Sequence, residues 1–186
     1  MMPHQLNWRE ICQMIPKRKA DAQKGDFGRL LCITGSRNMP GACLLSTQAA
    51  LRGGAGLVTV ATAPENPMRL AAAAPEAMWL PLETDEAGFL RSSDQNRKTL
   101  EKQLSRANAV LLGCGLGVTE ETRRLVHWVL EQAVCPVVLD ADGLNCAVSC
   151  IELSRRTGKD WILTPHPGEM ARLTGRSIPQ IQEHRV

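Results

Sequence analysis

The chain has 186 residues and a formal net charge of +3, with 44% hydrophobic and 22% charged residues. These values are ordinary for a soluble globular protein and exclude a low-complexity chain, and they predict one domain over residues 1–186 with a sizeable core. The one basic cluster, at Lys17–Lys19, predicts solvated surface or a cover over an anionic ligand rather than a nucleic-acid interface.

The seven cysteines are dispersed and form no CxxC pair. Cys146 and Cys150 lie one helical turn apart, but no histidine pair completes a zinc set. The amino-terminal residues lack a basic stretch followed by an apolar one, and no apolar run approaches the length of a membrane span. We therefore expect a cytoplasmic protein with mostly buried thiols, no membrane contact and no nucleic-acid partner.

Strand and helix patterns alternate after a short leading helix within residues 1–28. The predicted strands are Leu30–Ile33, Leu57–Ala63, Met78–Leu82, Ala109–Leu112, Val137–Leu139 and a last one at Trp161–Leu163. The predicted helices are Ala42–Arg52, Pro67–Ala74, Asp94–Ala107, one from the N-cap Thr119 to Gln132, one after Asn145 and one from about Pro167. Strands this apolar favour a parallel sheet with helices on both faces.

Four loops rich in glycine or polar residues follow four of these strands, at Gly35–Gly41, Gly113–Gly117, Asp140–Asn145 and Thr164–Glu169. The loops that follow parallel strands lie on one edge of the sheet, where open α/β sheets bind ligands. Turn geometry alone also favours glycine in such loops. The four together nevertheless predict a ligand cleft.

The loop Gly113–Gly117 reads GCGLG and precedes a helix. This arrangement is typical of an anion nest of free backbone N–H groups at the positive end of a helix. It is neither a dinucleotide fingerprint, which needs a third glycine at another spacing, nor a P-loop. A tight structural turn is the alternative interpretation.

Asp140 and Asp142 flank a single alanine. In an extended segment their carboxylates share a face, and like charges there favour a bound cation such as Mg²⁺, or ribose hydroxyls. The alternative is structural: Asp142 caps the following turn and Asp140 binds backbone N–H groups. Asn145 is a candidate cap for the next helix.

His166 and Glu169 lie three residues apart, where a predicted strand ends and a predicted helix begins. Their side chains are suited to general acid–base catalysis or to orienting a metal-bound phosphate. The prolines on both sides of His166 stiffen its backbone. The alternative is that Glu169 only favours the positive end of the helix.

Together these motifs resemble the NAD(P)H-hydrate dehydratase family, a branch of the ribokinase-like fold. The matching stretches, in the family's order, are Lys24–Gly28, Gly35–Ser36, Pro40–Ala42, Ala49–Val58, Gly113–Gly117, Val138–Asn145 and Leu163–Leu173. The resemblance implies an α/β fold of three layers, α/β/α, with a mostly parallel sheet that is incomplete at the C-terminus. Thr34 and Cys114 depart from the family's usual glycine and proline.

The family repairs hydrated NADH or NADPH by phosphorylating the added hydroxyl with ADP or ATP and Mg²⁺, after which phosphate leaves. By resemblance, the residues that bind the dinucleotide hydrate are Ala42, Gly113, Gly115, Gly117, Asp140, Asp142, Asn145 and His166. Glu169 falls where related kinases organise Mg²⁺. Two alternatives stay open: a small-molecule kinase of the same fold and a non-catalytic nucleotide-binding fragment.

The family also carries a Lys-Gly nucleotide-binding motif and a Gly-Thr-Gly-Asp loop with the catalytic base. Residues 176–186 resemble neither. The resemblance therefore implies that the base lies beyond residue 186, and we expect these 186 residues to be inactive by themselves. A sheet without its last strands has an unpaired edge, so we also expect a homo-oligomer.

Overall fold

The computed structural model describes residues 6–15, 17–150 and 160–184. Its strands are β1 (Arg29–Ile33), β2 (Leu57–Thr62), β3 (Met78–Pro81), β4 (Ala109–Leu112), β5 (Val137–Leu139) and β6 (Trp161–Leu163). Its α-helices are α1 (Trp8–Met14), α2 (Pro40–Arg52), α3 (Asn66–Leu70), α4 (Asp94–Leu104), α5 (Glu120–Gln132), α6 (Asp142–Ala147), α7 (Pro167–Thr174) and α8 (Ile178–Glu183). Short 3₁₀ turns lie at Lys24–Phe27, Ala71–Ala73 and Val148–Cys150.

The six strands form one sheet in the order β3-β2-β1-β4-β5-β6. Every neighbouring pair is parallel, which confirms the predicted parallel sheet. The strand order runs in opposite directions from β1 and from β4, so these two central strands form the switch point of the sheet. Ligand crevices in open α/β sheets open at such a point, beyond the carboxyl ends of the strands.

Helices cover both faces of the sheet, as predicted. On one face Leu31, Ile33 and Leu112 pack in a core that contains apolar side chains of α4 and α5. On the other face Cys32 and Val60 pack with residues of α2 and α3. Alternate residues of a strand point to opposite faces, so β1 contributes to both cores. The result is the expected layering of helix, sheet and helix.

The amphipathic helix α5 begins where the sequence predicts. Thr119 is its N-cap: the Thr119 hydroxyl accepts a hydrogen bond from the N–H of Thr122 at 3.1 Å, and the Thr122 hydroxyl accepts one from the N–H of Thr119 at 2.7 Å.

The leading helix α1 also forms, but Trp8 is 75% exposed. In the described part of the chain, no helix combines the length and apolarity that crossing a membrane requires.

The segment after β5 differs from its prediction, which placed a loop over Asp140–Asn145 and a helix after it. Helix α6 already begins at Asp142, because the chain turns sharply at Ala141 with φ 50° and ψ −119°. The N–H of Gly143 closes this turn on the Asp140 carbonyl at 2.9 Å. Asn145 therefore lies inside α6 and does not cap a helix. Residues 151–159 lie outside the described part of the chain.

Candidate functional site

The loops after β1 and β4 meet at the switch point of the sheet. The N–H of Gly35 donates to the Cys114 carbonyl at 2.9 Å, and the N–H of Ser36 donates to the Gly115 carbonyl at 2.7 Å. The loops after β5 and β6 join the same edge, since the Thr164 hydroxyl donates to the Asp140 carboxylate at 2.8 Å. The four predicted loops thus lie at one edge.

Two buried polar side chains hold the loop after β1. The Thr62 hydroxyl donates to the Gly35 carbonyl at 2.9 Å, and the Asn66 amide donates to the Ser36 carbonyl at 3.2 Å and to the Thr62 hydroxyl at 2.8 Å. Sequence reasoning did not identify this pair. The signal available in the sequence was a threonine at the end of an apolar strand, followed four residues later by asparagine.

At each glycine of the predicted anion nest, neighbouring atoms leave no room for a side chain. Gly113, Gly115 and Gly117 have φ values of 133°, 70° and 77°. A Cβ atom at Gly115 would lie 2.8 Å from the Cβ of Ala42, so α2 approaches this loop closely. A Cβ at Gly117 would overlap the Phe89 ring. These glycines allow the loop, α2 and the segment around Phe89 to pack against one another.

Several N–H groups of this loop already have partners within the protein. The N–H of Gly113 donates to the Ile33 carbonyl at 3.2 Å, and the N–H of Leu116 donates to the Gly113 carbonyl at 3.1 Å. The N–H of Gly117 donates to the Asp142 carboxylate at 2.8 Å. The nest hypothesis therefore applies only to the remaining N–H groups of the loop.

Asp140 and Asp142 have different partners, and neither matches the structural alternative proposed from the sequence. Asp140 accepts from the Thr164 hydroxyl and, at 3.4 Å, from the Cys114 thiol, rather than from backbone N–H groups. Asp142 accepts from Gly117 across the loop rather than capping its own turn. Burial, and then the charge of Asp140, raise the pKa of the Cys114 thiol to about 12, so this thiol is protonated at neutral pH.

His166 and Glu169 form the N-terminal cap of α7. Nδ1 of His166 accepts from the N–H of Gly168 at 3.0 Å and from that of Glu169 at 3.4 Å. One Glu169 carboxylate oxygen accepts from the N–H of His166 at 2.9 Å, and the other lies 3.2 Å from His166 Nε2. Because Nδ1 is an acceptor, the proton belongs on Nε2. The side chain of His166 is 62% exposed, whereas that of Glu169 is 7% exposed.

Glu169 is the metal candidate from the sequence. Both of its carboxylate oxygens already contact His166, and the described residues contain no group of three His, Cys, Asp or Glu side chains placed to hold a metal ion. These residues by themselves do not build a Mg²⁺ site of several carboxylates.

Asn145 links α6 to two neighbouring helices. The Arg172 Nε of α7 donates to its side-chain oxygen at 2.7 Å, and Arg123 of α5 donates to its main-chain oxygen at 3.2 Å. These three residues line a depression of about 490 Å³ together with Val118 and Val148. Asn145 was predicted from the sequence as a site residue, but neither arginine was, because their contacts join three separate helices.

A segment between β3 and α4 crosses the same edge of the sheet. An antiparallel bridge between Thr84 and Leu90 shapes it, and the N–H of Arg37 donates to the Gly88 carbonyl at 2.9 Å. Phe89 lies against Gly117. This segment was not predicted, because its contacts are with loops distant in sequence.

Comparison with known proteins identifies relatives along nearly the whole chain. A family model described as NAD(P)H-hydrate dehydratase matches residues 30–186. A bifunctional NAD(P)H-hydrate repair enzyme, Nnr, from Coxiella burnetii is 39% identical over 180 residues, which cover 97% of this chain and 33% of that protein. An ADP-dependent (S)-NAD(P)H-hydrate dehydratase from Xanthomonas campestris is 38% identical over 152 residues, covering 82% of this chain and 50% of that one.

Solved structures of the same family and of the ribokinase-like superfamily superpose on this chain. The ADP/ATP-dependent NAD(P)H-hydrate dehydratase of Bacillus subtilis, co-crystallised with ATP and Mg²⁺, superposes with a TM-score of 0.74 at 32% identity. The match covers 95% of this chain and 58% of that one. A ribokinase-like superfamily protein of Enterococcus faecalis superposes with a TM-score of 0.73 at 28% identity, over 89% of this chain and 55% of its own. The chain thus spans between one third and about three fifths of these proteins.

Proposed function

We propose that this chain, which belongs to the NAD(P)H-hydrate dehydratase family, binds hydrated NADH or NADPH at the carboxyl edge of its sheet. The observation that carries the proposal is the convergence of four loops at that edge, which brings Gly115 beside Ala42 and joins Asp140 to the loop after β6. The names of the relatives supply the substrate class.

Five of the candidate residues have distinct physical tasks in this proposal. Gly115 is buried against Ala42, and its missing side chain lets α2 approach the loop after β4 closely. The small, partly exposed side chain of Ala42 leaves room there for a flat ring. Asp140 and Asp142 offer carboxylate oxygens to the hydroxyl groups of a ribose or of the hydrated ring. His166 is fixed through Nδ1 by the first turn of α7, so its exposed ring is held in one orientation as a contact for the ligand.

We assign ADP or ATP with Mg²⁺ to the complete reaction, in which the nucleotide supplies the phosphoryl group that converts the added hydroxyl into a leaving group. The names of the Xanthomonas and Bacillus relatives support this assignment. Glu169 remains our candidate for contact with Mg²⁺ through its water shell. In this proposal, the residues at the carboxyl edge of the sheet bind and orient the dinucleotide hydrate.

Three further properties belong to the same proposal. Residues 1–186 act as one domain, the protein works in the cytoplasm, and it self-associates. All seven cysteines are free, which supports a reducing compartment. Within the described residues β6 is an edge strand, and its Ile162 is 54% exposed, which supports association through this edge. Light scattering of the purified chain tests the last point, and a monodisperse monomer would contradict it.

Calorimetric titration of the 186-residue chain with NADPH hydrate tests the binding site. We expect weak binding, with His166→Ala reducing the affinity about three- to tenfold, because one directed hydrogen bond contributes about 0.5–1.5 kcal/mol net. Thr174→Ala, at the other end of α7, is the matched control and leaves the affinity unchanged. A folded chain that fails to bind at millimolar hydrate would refute the proposal.

A further inference from the structure

Two arginines beside the candidate site have no acidic partner among the described residues. Arg123 of α5 and Arg172 of α7 line the depression of about 490 Å³ that also contains Asn145. By contrast, Arg124 of the same helix α5 contacts Glu120 and Glu121, each at 3.2 Å, and Arg37 after β1 pairs with Glu65 at 2.7 Å. Within residues 6–15, 17–150 and 160–184, no acidic side chain forms an ion pair with either arginine of the depression.

Asn145 orients both arginines. It uses one donor of each guanidinium, through its side-chain oxygen at 2.7 Å from Arg172 Nε and its main-chain oxygen at 3.2 Å from Arg123. A guanidinium has five N–H donors, so four remain on each arginine after these contacts. Holding two long side chains in place lowers the entropic cost of binding an anion between them.

The arginine pair adjoins the residues already placed in the site. A Cβ atom built on Gly168 would lie 3.0 Å from the His166 ring and 3.9 Å from Arg172 Nη1. The guanidinium of Arg172 therefore folds back along α7 toward its first turn, beside Gly168. On the far side of the depression, Val118 follows Gly117, whose N–H binds Asp142.

We propose that Arg123 and Arg172, oriented by Asn145, bind a phosphate group of the dinucleotide hydrate. The inference rests on the proposed function and adds two residues and a charged subsite to it. Arginine suits this task, because its planar fork matches a phosphate with two parallel hydrogen bonds and stays charged at any physiological pH. The phosphate is either the 2′-phosphate of NADPH or the pyrophosphate that NADH and NADPH share.

The test compares NADPH, NADH and inorganic pyrophosphate as probes in calorimetric titrations of the 186-residue chain at low ionic strength. We expect Arg123→Gln and Arg172→Gln each to weaken NADPH binding about three- to fivefold, the upper part of the range for an exposed charge-assisted contact. Arg124→Gln is the matched control, since that guanidinium is bound to Glu120 and Glu121, and it changes affinity less than about twofold. Arg172→Lys retains part of the binding through its charge.

The three probes separate the sources of the phosphate. A loss with NADPH but not with NADH assigns the 2′-phosphate, and an equal loss with both assigns the pyrophosphate. Variants that bind NADPH as tightly as the parent chain and the Arg124 control would overturn the inference while leaving the proposed function intact. If the parent chain binds no dinucleotide or hydrate, the proposed function fails. In that case the pyrophosphate titration tests the arginine pair by itself. Pyrophosphate binding that is lost in both arginine variants supports the pair, and any other result overturns the inference.

Discussion

Replacing Gly115 by alanine tests the close contact between the loop after β4 and helix α2. Gly115 has φ +70°, where an L side chain is strained by about 1–2 kcal/mol. The new Cβ would also lie 2.8 Å from the Cβ of Ala42 and 3.1 Å from that of Met39. Forcing α2 away from the loop adds about 1–3 kcal/mol, as overpacking does elsewhere.

The expected loss for Gly115→Ala is therefore about 2–5 kcal/mol of the free energy of unfolding. In a chain of this size each kcal/mol lowers the melting temperature by about 2–4 °C, so a drop on the order of 4–20 °C is expected. Urea denaturation followed by circular dichroism gives the free energy directly, and differential scanning fluorimetry gives the melting temperature.

Gly175→Ala is the matched control, because Gly175 has φ +71° and an added Cβ there would meet nothing within 4 Å. It isolates the backbone strain, so we expect a loss of about 1–2 kcal/mol. The double variant Ala42→Gly/Gly115→Ala removes one collision and should recover about 1 kcal/mol relative to additivity. Equal losses for Gly115→Ala and Gly175→Ala would refute the steric reasoning.

Two more predictions concern stability. Asp142→Ala leaves the N–H of Gly117 without its acceptor and should cost about 1–3 kcal/mol in urea denaturation, whereas Asp142→Asn, which keeps an oxygen, costs less. A smaller effect for alanine than for asparagine would contradict that bond. Burial raises the pKa of Cys32 from 9.0 to about 12, so the folded state holds a proton that the unfolded state releases. Stability is therefore full below pH 9 and falls toward pH 12, by up to about 1.4 kcal/mol per pH unit. Cys32→Ala should make the slope between pH 8 and pH 10 shallower by the share of one thiol, because Cys114, whose pKa is also raised to about 12, keeps its own share. An unchanged slope would count against this reasoning.

The sequence was sufficient to predict the alternation of strands and helices, the parallel sheet and the edge at which the four loops lie. These follow from local patterns: apolar runs of four to six residues at β1, β2 and β4, and a threonine cap at Thr119 before α5. In a parallel sheet, each loop that follows a strand must emerge at the same edge, so their convergence needed no knowledge of side-chain contacts. The motifs in those loops also sufficed to predict the family.

Only the tertiary structure decided which partners Asp140, Asp142 and Asn145 have. Asp140 binds Thr164, Asp142 binds Gly117, and Asn145 lies between Arg123 and Arg172, all across separations of 22 to 27 residues. The start of α6 at Asp142 likewise depends on the sharp turn at Ala141, a residue with no local preference for positive φ. Hydrogen bonds between distant segments depend on how close packing brings those segments together, and local sequence patterns do not carry that information.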